Sequence, residues 1–196
     1  MCGRAGSRHC LPGSRDITGR MHVRTFRPDD APFLARIFHA AVHQIAKLHY
    51  TAEQIGAWAP ALPSPQTFLS QGGDGRLLLV AVDHLDQPLA YGDLEADGHI
   101  DHLYCRPDIA GSGVTSFLYD RIEEAAVGQD IGRLFVEASE PARRFFLKKD
   151  FVELRRRDFK LGDVAIHNFE MEKRLTIPGS SPSVGTAWSG SASERG

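Results

Sequence analysis

The sequence predicts an α/β protein (α+β mixed sheet), with a central, mostly antiparallel sheet that contains one parallel β-α-β crossover. The predicted elements follow the order β-α-α-β-β-β-α-β-α-β-β, in which most neighbouring strands are joined by short turns. Within residues 99–115 a strand-like run passes through Gly111-Ser112-Gly113 into an amphipathic helix. Such a unit leaves backbone N–H groups at a helix N-terminus, where they can hold a phosphate or pyrophosphate.

Length and composition indicate one domain, which we place at residues 21–175 of the 196. Residues 1–20 and 176–196 are rich in small and polar residues without periodicity, so both are expected to be disordered. A net charge of −2 argues against nucleic-acid or membrane partners, which need concentrated positive charge. No apolar run approaches the roughly 20 residues of a membrane span. The three cysteines lack disulfide or metal-binding spacing, so we expect a cytoplasmic protein without metal.

The N-terminal part of the domain is predicted to contain one strand and two helices. Residues 21–26 are predicted to form the strand, and residues 27–30 are typical of a helix start. Apolar residues at helical spacing then predict the first helix over 33–46. Residues 51–54 resemble a capping box that opens a second helix through Trp58. That helix is expected to end at three prolines: Pro60, Pro63 and Pro65.

The rest of the domain is predicted to consist of two hairpins, two single strands and two helices. Turn residues and alternating or continuous apolar runs define these elements. The strands are expected at 76–82, 88–94, 99–105, 133–138, 151–159 and 164–173. One helix is expected directly after Gly113 and the other at 141–149.

This order of elements, with the glycine loop after the fourth strand, resembles the GNAT superfamily of acetyl-CoA-dependent N-acetyltransferases. Short segments in the correct order are similar to one bacterial subgroup of uncharacterised members. The resemblance implies that acetyl-CoA is the co-substrate and that an amine acceptor attacks its thioester directly. It also implies a small-molecule or peptide amine as the partner. Because dimers are common among such proteins, a homodimer is a further expectation. The segments are residues 50–55, 58–60, 98–104, 136–139, 142–146 and 168–173.

The pyrophosphate loop of this family, Q/R-x-x-G-x-G/A, falls on residues 110–115. Gly113 matches the first required glycine and Gly111 matches a glycine often found just before it. Ala110 replaces the Gln or Arg, and Thr115 replaces the final small residue, so we expect weaker cofactor affinity. The resemblance implies the following cofactor contacts: Leu103, Tyr104, Cys105, Ala110, Gly111, Ser112, Gly113, Val114, Thr115, Ser139, Phe145 and Phe146.

Amine acetylation needs a group that accepts the proton of the amine, and Asp101 and His102 are the first candidates. Because side chains alternate along a strand, at most one of the two is expected to face the substrate. Glu137 is a further candidate. The family often has a tyrosine that protonates the departing thiolate, but the matching residue is Phe146, so Tyr104 becomes a candidate acid. A packing role for each of these residues stays open at this stage.

Tyr50 and Trp58 lie in the segment that usually builds the acceptor pocket of this family, although Trp58 could simply anchor the second helix. Asp150 stands where the family has a glycine, in a turn that Asp tolerates better than most residues.

Other functions explain the glycine loop less well. A dinucleotide-binding turn would need a third glycine at Ser116 and a second β-α-β half. A metal site of His99 and His102 would place its two ligands on opposite faces of a strand. The alternative that stays open is a catalytically degenerate GNAT-fold module that binds acyl-CoA as a sensor or interaction domain. The departures at Ala110, Thr115 and Phe146 motivate it.

Overall fold

The computed structural model describes residues 21–178, so the proposed tails at 1–20 and 179–196 lie outside the described residues. No helix within the described range is long and apolar enough to cross a membrane. The strands are β1(His22–Thr25), β2(Leu77–Val82), β3(Pro88–Leu94), β4(Leu103–Cys105), β5(Arg133–Ala138), β6(Val152–Leu161) and β7(Val164–Arg174). The helices are α1(Ala31–Gln44), α2(Ala52–Trp58), α3(Pro65–Gln71), α4(Val114–Gly128) and α5(Glu140–Leu147).

The strands form two antiparallel sheets, with the orders β1-β2-β3-β4 and β5-β7-β6. One parallel bridge, between His99 and Phe135, joins the sheets. There the Phe135 N–H donates to the Gly98 carbonyl (3.1 Å), and the Ile100 N–H donates to the Phe135 carbonyl (3.0 Å). Within residues 21–178, β4 and β5 do not form a continuous parallel ladder. The two sheets therefore separate beyond the bridge and leave a cleft between β4 and β5.

The first sheet is buried on both faces, as the continuous apolar run of β2 indicates. Leu78 and Val80 of β2 pack with Leu34 of α1 and Phe68 of α3. Residues that alternate with these in β2 pack with the inner stripe of α4 and with β5 in the main core. That core includes Leu79, Ala81, Leu118, Ile122, Leu134 and Met171.

The second helix ends before Pro60, as predicted, but Pro65 begins a further helix, α3, that the sequence analysis does not predict. Proline is favoured at the first position of a helix because its missing N–H would have no partner there. The Ser64 hydroxyl caps the same end by accepting the Gln66 N–H (3.2 Å). By contrast, the capping box predicted for α2 is present, since Thr51 and Gln54 exchange hydrogen bonds of 3.2 and 3.0 Å.

The fourth strand is shorter than predicted, because a buried carboxylate replaces part of its ladder. One oxygen of Asp93, on β3, accepts the N–H groups of Asp101 (3.0 Å) and His102 (2.8 Å). These residues therefore leave the strand geometry. The ends of their side chains approach to 3.4 Å, because the backbone here departs from a regular strand.

The bridge between the sheets depends on a glycine at position 98, where φ is +93° and an added Cβ would lie 1.9 Å from the Arg133 carbonyl oxygen. We predict that Gly98→Ala lowers the free energy of unfolding by about 2 to 4 kcal/mol, measured by urea denaturation. Gly75→Ala is the matched control, with a φ of +100° and open space. It should cost only about 1 kcal/mol. Equal losses in the two variants would contradict the role assigned to the close approach.

Candidate functional site

A cavity of about 490 Å³, which we name the loop cavity, lies between β4, the glycine loop and helices α1 and α5. Gly111 and Gly113 line it with φ values of +81° and +96°. An added Cβ would meet nothing within 4 Å at either residue, so the backbone conformation, not the space, requires glycine.

Gly113 is the N-cap of α4, and the first N–H groups of a helix have no acceptor inside it. The loop cavity is therefore bounded by backbone donors at the positive end of a helix.

Side chains that line the loop cavity add positive charge, from two lysines, and the hydroxyl of Thr115. Lys148 and Lys149 both line the cavity, and Lys149 also pairs with Asp120. Burial raises the pKa of the Cys105 thiol, and a hydrogen bond with Thr115 partly opposes this shift. Thr115 is thus close enough to Cys105 of β4 to affect its thiol, and the Thr115 backbone N–H belongs to the first turn of α4.

A second cavity of about 260 Å³, which we name the hairpin cavity, lies between the end of β5 and the β6–β7 hairpin. Tyr50 fixes one wall, because its hydroxyl donates to the His167 carbonyl (3.1 Å) and accepts the Glu140 N–H (3.1 Å). The two cavities share part of their lining, so they meet in the cleft between β4 and β5. The shared residues are Trp58, Leu103, Tyr104, Ser139 and Ala142.

Asp93 organises the polar groups behind β4. Arg76 donates to Asp93 (2.7 Å) and reaches Asp101 (3.3 Å), and His102 contacts the same Asp93 oxygen (3.2 Å). Burial alone would raise the pKa of Asp93, but its hydrogen bonds with His102 and Arg76 outweigh burial and lower the pKa. Asp93, Asp101 and His102 place ligand atoms within 4.8 Å of one another, and the Arg76 guanidinium supplies positive charge to this cluster.

A second ion pair lies at the wall of the hairpin cavity. Glu137 accepts from His99 (2.7 Å) through one oxygen and contacts Arg157 (3.0 Å) through the other. Burial alone would lower the pKa of His99, but Glu137 outweighs burial, so the pKa is raised. The His99 ring also stacks on Phe135, with 4.8 Å between centroids. Glu137 is therefore held in a fixed position at the cavity wall.

The residue that matches the family's general acid is part of the core. Phe146 is 1% exposed and makes edge-to-face contacts with Tyr119, Phe145 and Phe151. The turn after α5 keeps its shape, since Asp150 adopts a φ of +65°. Tyr104, which lines both cavities, also carries an aromatic hydroxyl. Burial raises the pKa of Tyr104 well above its ordinary value.

A family model described as an acetyltransferase (GNAT) domain matches residues 46–175. The chain belongs to the GNAT acetyltransferase family. A structure from Rhodopseudomonas palustris, described both as a GCN5-related N-acetyltransferase and as a class-II aminotransferase, is 32% identical with a TM-score of 0.73. That similarity covers 80% of this chain and 96% of the other. None of the curated proteins matches this chain.

Two more distant GNAT structures share the fold and contain the coenzyme. PaiA N-acetyltransferase from Thermoplasma acidophilum, in complex with coenzyme A, is 19% identical with a TM-score of 0.63 and covers 79% of this chain and 99% of its own. A phosphinothricin acetyltransferase from Sinorhizobium meliloti, in complex with acetyl-CoA, is 15% identical with a TM-score of 0.63. That similarity covers 85% of this chain and 95% of the other.

In this GNAT protein nine of the twelve residues predicted to bind the cofactor line the loop cavity, and three of them, as well as the predicted base His102, do not. His102 lines neither cavity and packs against Phe38, Phe68 and Tyr91. Val114 is buried in the core, Phe146 lines the hairpin cavity, and Ser112 lines neither. The nine that line the loop cavity are Leu103, Tyr104, Cys105, Ala110, Gly111, Gly113, Thr115, Ser139 and Phe145.

Sequence reasoning missed one face of α1 and the inner side of the β6–β7 hairpin. Periodicity marked Ala41, Val42, Ile45 and Ala46 as apolar, and these residues line the loop cavity as well as packing. The hairpin residues carry no local signal, because only long-range packing brings them to the cleft. They are Phe159, Leu161, Ile166, His167 and Asn168.

The raised pKa of His99 predicts a pH-dependent contribution to stability. Because the folded-state pKa lies above the unfolded value, the contribution is complete below about pH 6.5 and is lost as the pH rises through the folded pKa. We predict that His99→Gln costs about 1 kcal/mol more in urea unfolding at pH 5.5 than at pH 9. The exposed His84 provides the control, and His84→Gln should cost the same at both values. A loss for His99→Gln that does not depend on pH would refute the ion pair.

Proposed function

We propose that this GNAT protein transfers an acetyl group from acetyl-CoA to an amine acceptor by direct attack on the thioester. The observation that carries the proposal is the junction of the two cavities at Leu103, Tyr104 and Ser139. Acetyl-CoA bound in the loop cavity and an amine bound in the hairpin cavity would meet there from opposite sides. The complexes of two structural relatives with coenzyme A and acetyl-CoA support acetyl-CoA as the co-substrate.

Backbone groups would do most of the work of holding acetyl-CoA. The N–H groups around Gly111 and Gly113 suit the diphosphate, and the nearby ammonium groups of Lys148 and Lys149 add electrostatic attraction. Among the strands of residues 21–178, β4 pairs with β3 alone, so its second edge faces the cleft. N–H groups on that edge, near Tyr104 and Cys105, would polarise the thioester carbonyl. Neither Ala110 nor Thr115 removes these backbone donors.

Asp101 would accept the proton of the amine, directly or through water. It lines the hairpin cavity, and its side chain is 44% exposed. Arg76 and His102 contact one of its oxygens, which orients the carboxylate. Tyr104 lines both cavities, and its hydroxyl would donate a proton to the departing thiolate.

A degenerate module that binds acyl-CoA without turnover is the second candidate, and the buried, aprotic Phe146 favours it. Calorimetry with acetyl-CoA and release of free thiol over an amine panel separate the two. Binding without thiol release on any amine would favour the module, and absence of binding would remove both.

The glycine loop provides the first test. We predict that Gly113→Glu raises the Kd for acetyl-CoA by about 100-fold or more, because a carboxylate would face the diphosphate and strain the left-handed backbone. Calorimetry on variants with unchanged circular dichroism measures this. Gly162→Glu is the control, since Gly162 also has a positive φ (+61°) and open space but lies in the β6–β7 turn. Unchanged affinity in a folded Gly113→Glu protein would overturn the proposed cofactor site.

The second test concerns the proton acceptor. We predict that Asp101→Asn lowers kcat by about 100-fold while the KM for acetyl-CoA changes less than about twofold. Asp158→Asn is the control, because Asp158 lies on β6, is exposed, and pairs only with Arg156 among the contacts described. Equal kcat values in the Asp101 and Asp158 variants, measured by thiol release, would exclude Asp101 as the base.

A further inference from the structure

The hairpin cavity has an asymmetric charge. Its wall contains the carboxylates of Asp101 and Glu137, and no Lys or Arg is among the described residues that line it. Three arginines lie near this wall, and each is paired with a carboxylate. Arg156, which acts electrostatically on Tyr50, is paired with Asp158. Arg157 is bound to Glu137, and Arg76 is bound to Asp93 and Asp101.

The wider ion-pair network keeps this negative surplus. Besides Asp93 and Asp101, Arg76 also contacts Asp74 (2.9 Å) and Glu95 (3.0 Å). With Glu137, five carboxylates thus share the guanidinium groups of Arg76 and Arg157 and the ring of His99, which contacts Glu95 and Glu137. An anionic ligand group in the cavity would meet a surplus of negative charge, and no Lys or Arg among the described lining residues would offset it.

The remaining lining is largely aromatic and aliphatic. Tyr50, Trp58 and Tyr104 line one side, and Phe159 and Leu161 of the hairpin line another. A cavity of about 260 Å³ fits a small molecule with an apolar body. The hydroxyl of Tyr50 is already bonded to main-chain groups, so this part of the wall is mainly a hydrophobic surface.

One polar atom of the wall lacks a partner. Asn168 lines the cavity, and its Oδ1 is buried without a hydrogen-bond donor among the described residues. A buried acceptor of this kind costs free energy until a donor binds to it. A ligand that carries N–H groups would satisfy it.

We infer that the acceptor is a small primary amine on an aromatic or aliphatic body that carries no carboxylate or phosphate. This inference rests on the proposed function, since it takes the hairpin cavity as the acceptor site. The carboxylates attract the ammonium group, Asn168 accepts an N–H bond, and the aromatic wall covers the body. Amino acids with a free α-carboxylate are excluded by the same charges.

Three matched ligands separate charge from size: 2-phenylethylamine, L-phenylalanine and L-phenylalaninamide. Their binding to the full chain in the presence of coenzyme A is measured by calorimetry. We expect the Kd of L-phenylalanine to exceed that of 2-phenylethylamine by about tenfold or more. L-phenylalaninamide, which has nearly the shape of the acid but no negative charge, should bind close to 2-phenylethylamine. Equal exclusion of the acid and its amide, tighter binding of the acid, or no binding of any of the three overturns the inference.

Glu137→Gln tests the origin of the selectivity. It removes one negative charge and leaves Arg157 without its partner at the wall, so the preference for 2-phenylethylamine over L-phenylalanine should narrow by roughly fivefold. Glu153→Gln is the control, because Glu153 pairs with Arg143 outside the cavity. A preference that is equal in the two variants contradicts the inference.

Thiol release with the same ligands tests the proposed function separately. Selective amine binding without thiol release contradicts acetyl transfer and supports the charge selectivity. Thiol release that is faster with L-phenylalanine than with 2-phenylethylamine supports acetyl transfer and contradicts the selectivity.

Discussion

The buried carboxylate of Asp93 is the interaction on which the site depends. It is fully buried on β3, and it is tolerated there because Arg76, His102 and two backbone N–H groups satisfy its oxygens. Because Asp93 accepts the N–H groups of Asp101 and His102, the regular pairing of β3 with β4 begins only at Leu103. The same contacts turn Asp101 towards the hairpin cavity and His102 towards the aromatic core. One buried charge thus determines both the length of a strand and which of two neighbouring titratable groups faces the cleft.

The cleft itself follows from the way in which the two sheets meet. A continuous parallel ladder between β4 and β5 would use the backbone groups on both edges and close the space between them. Contact is instead limited to the bridge at His99 and Phe135, which Gly98 permits by its close approach to β5. The free edge of β4 is then available to a ligand. Cleft and glycine loop lie side by side because α4 begins only a few residues after β4 ends.

Local signals were sufficient for most of the fold. Apolar periodicity and turn residues predicted the strands and four of the five described α-helices, and the left-handed Asp150 turn was anticipated from the chemistry of Asp. The local signals did not predict that the Asp93 carboxylate replaces a backbone acceptor at residues 101–102, which shortens β4. They also did not predict the helix that begins at Pro65. A carboxylate within the apolar strand Pro88–Leu94 was an available signal for the first failure. The hairpin wall gave none, because Phe159 and His167 reach the cleft only through sheet pairing.

The departures from the family pattern differ in how strongly they should affect cofactor binding and proton transfer. Ala110 and Thr115 alter side chains in a loop whose proposed ligand-binding groups are backbone N–H donors. Phe146 is different, because no backbone group can replace a lost proton donor. Tyr104, which lines both cavities, is the side chain proposed for this role. The phosphate-binding function is therefore the more tolerant part of this site, and proton transfer is the part that one side chain can decide.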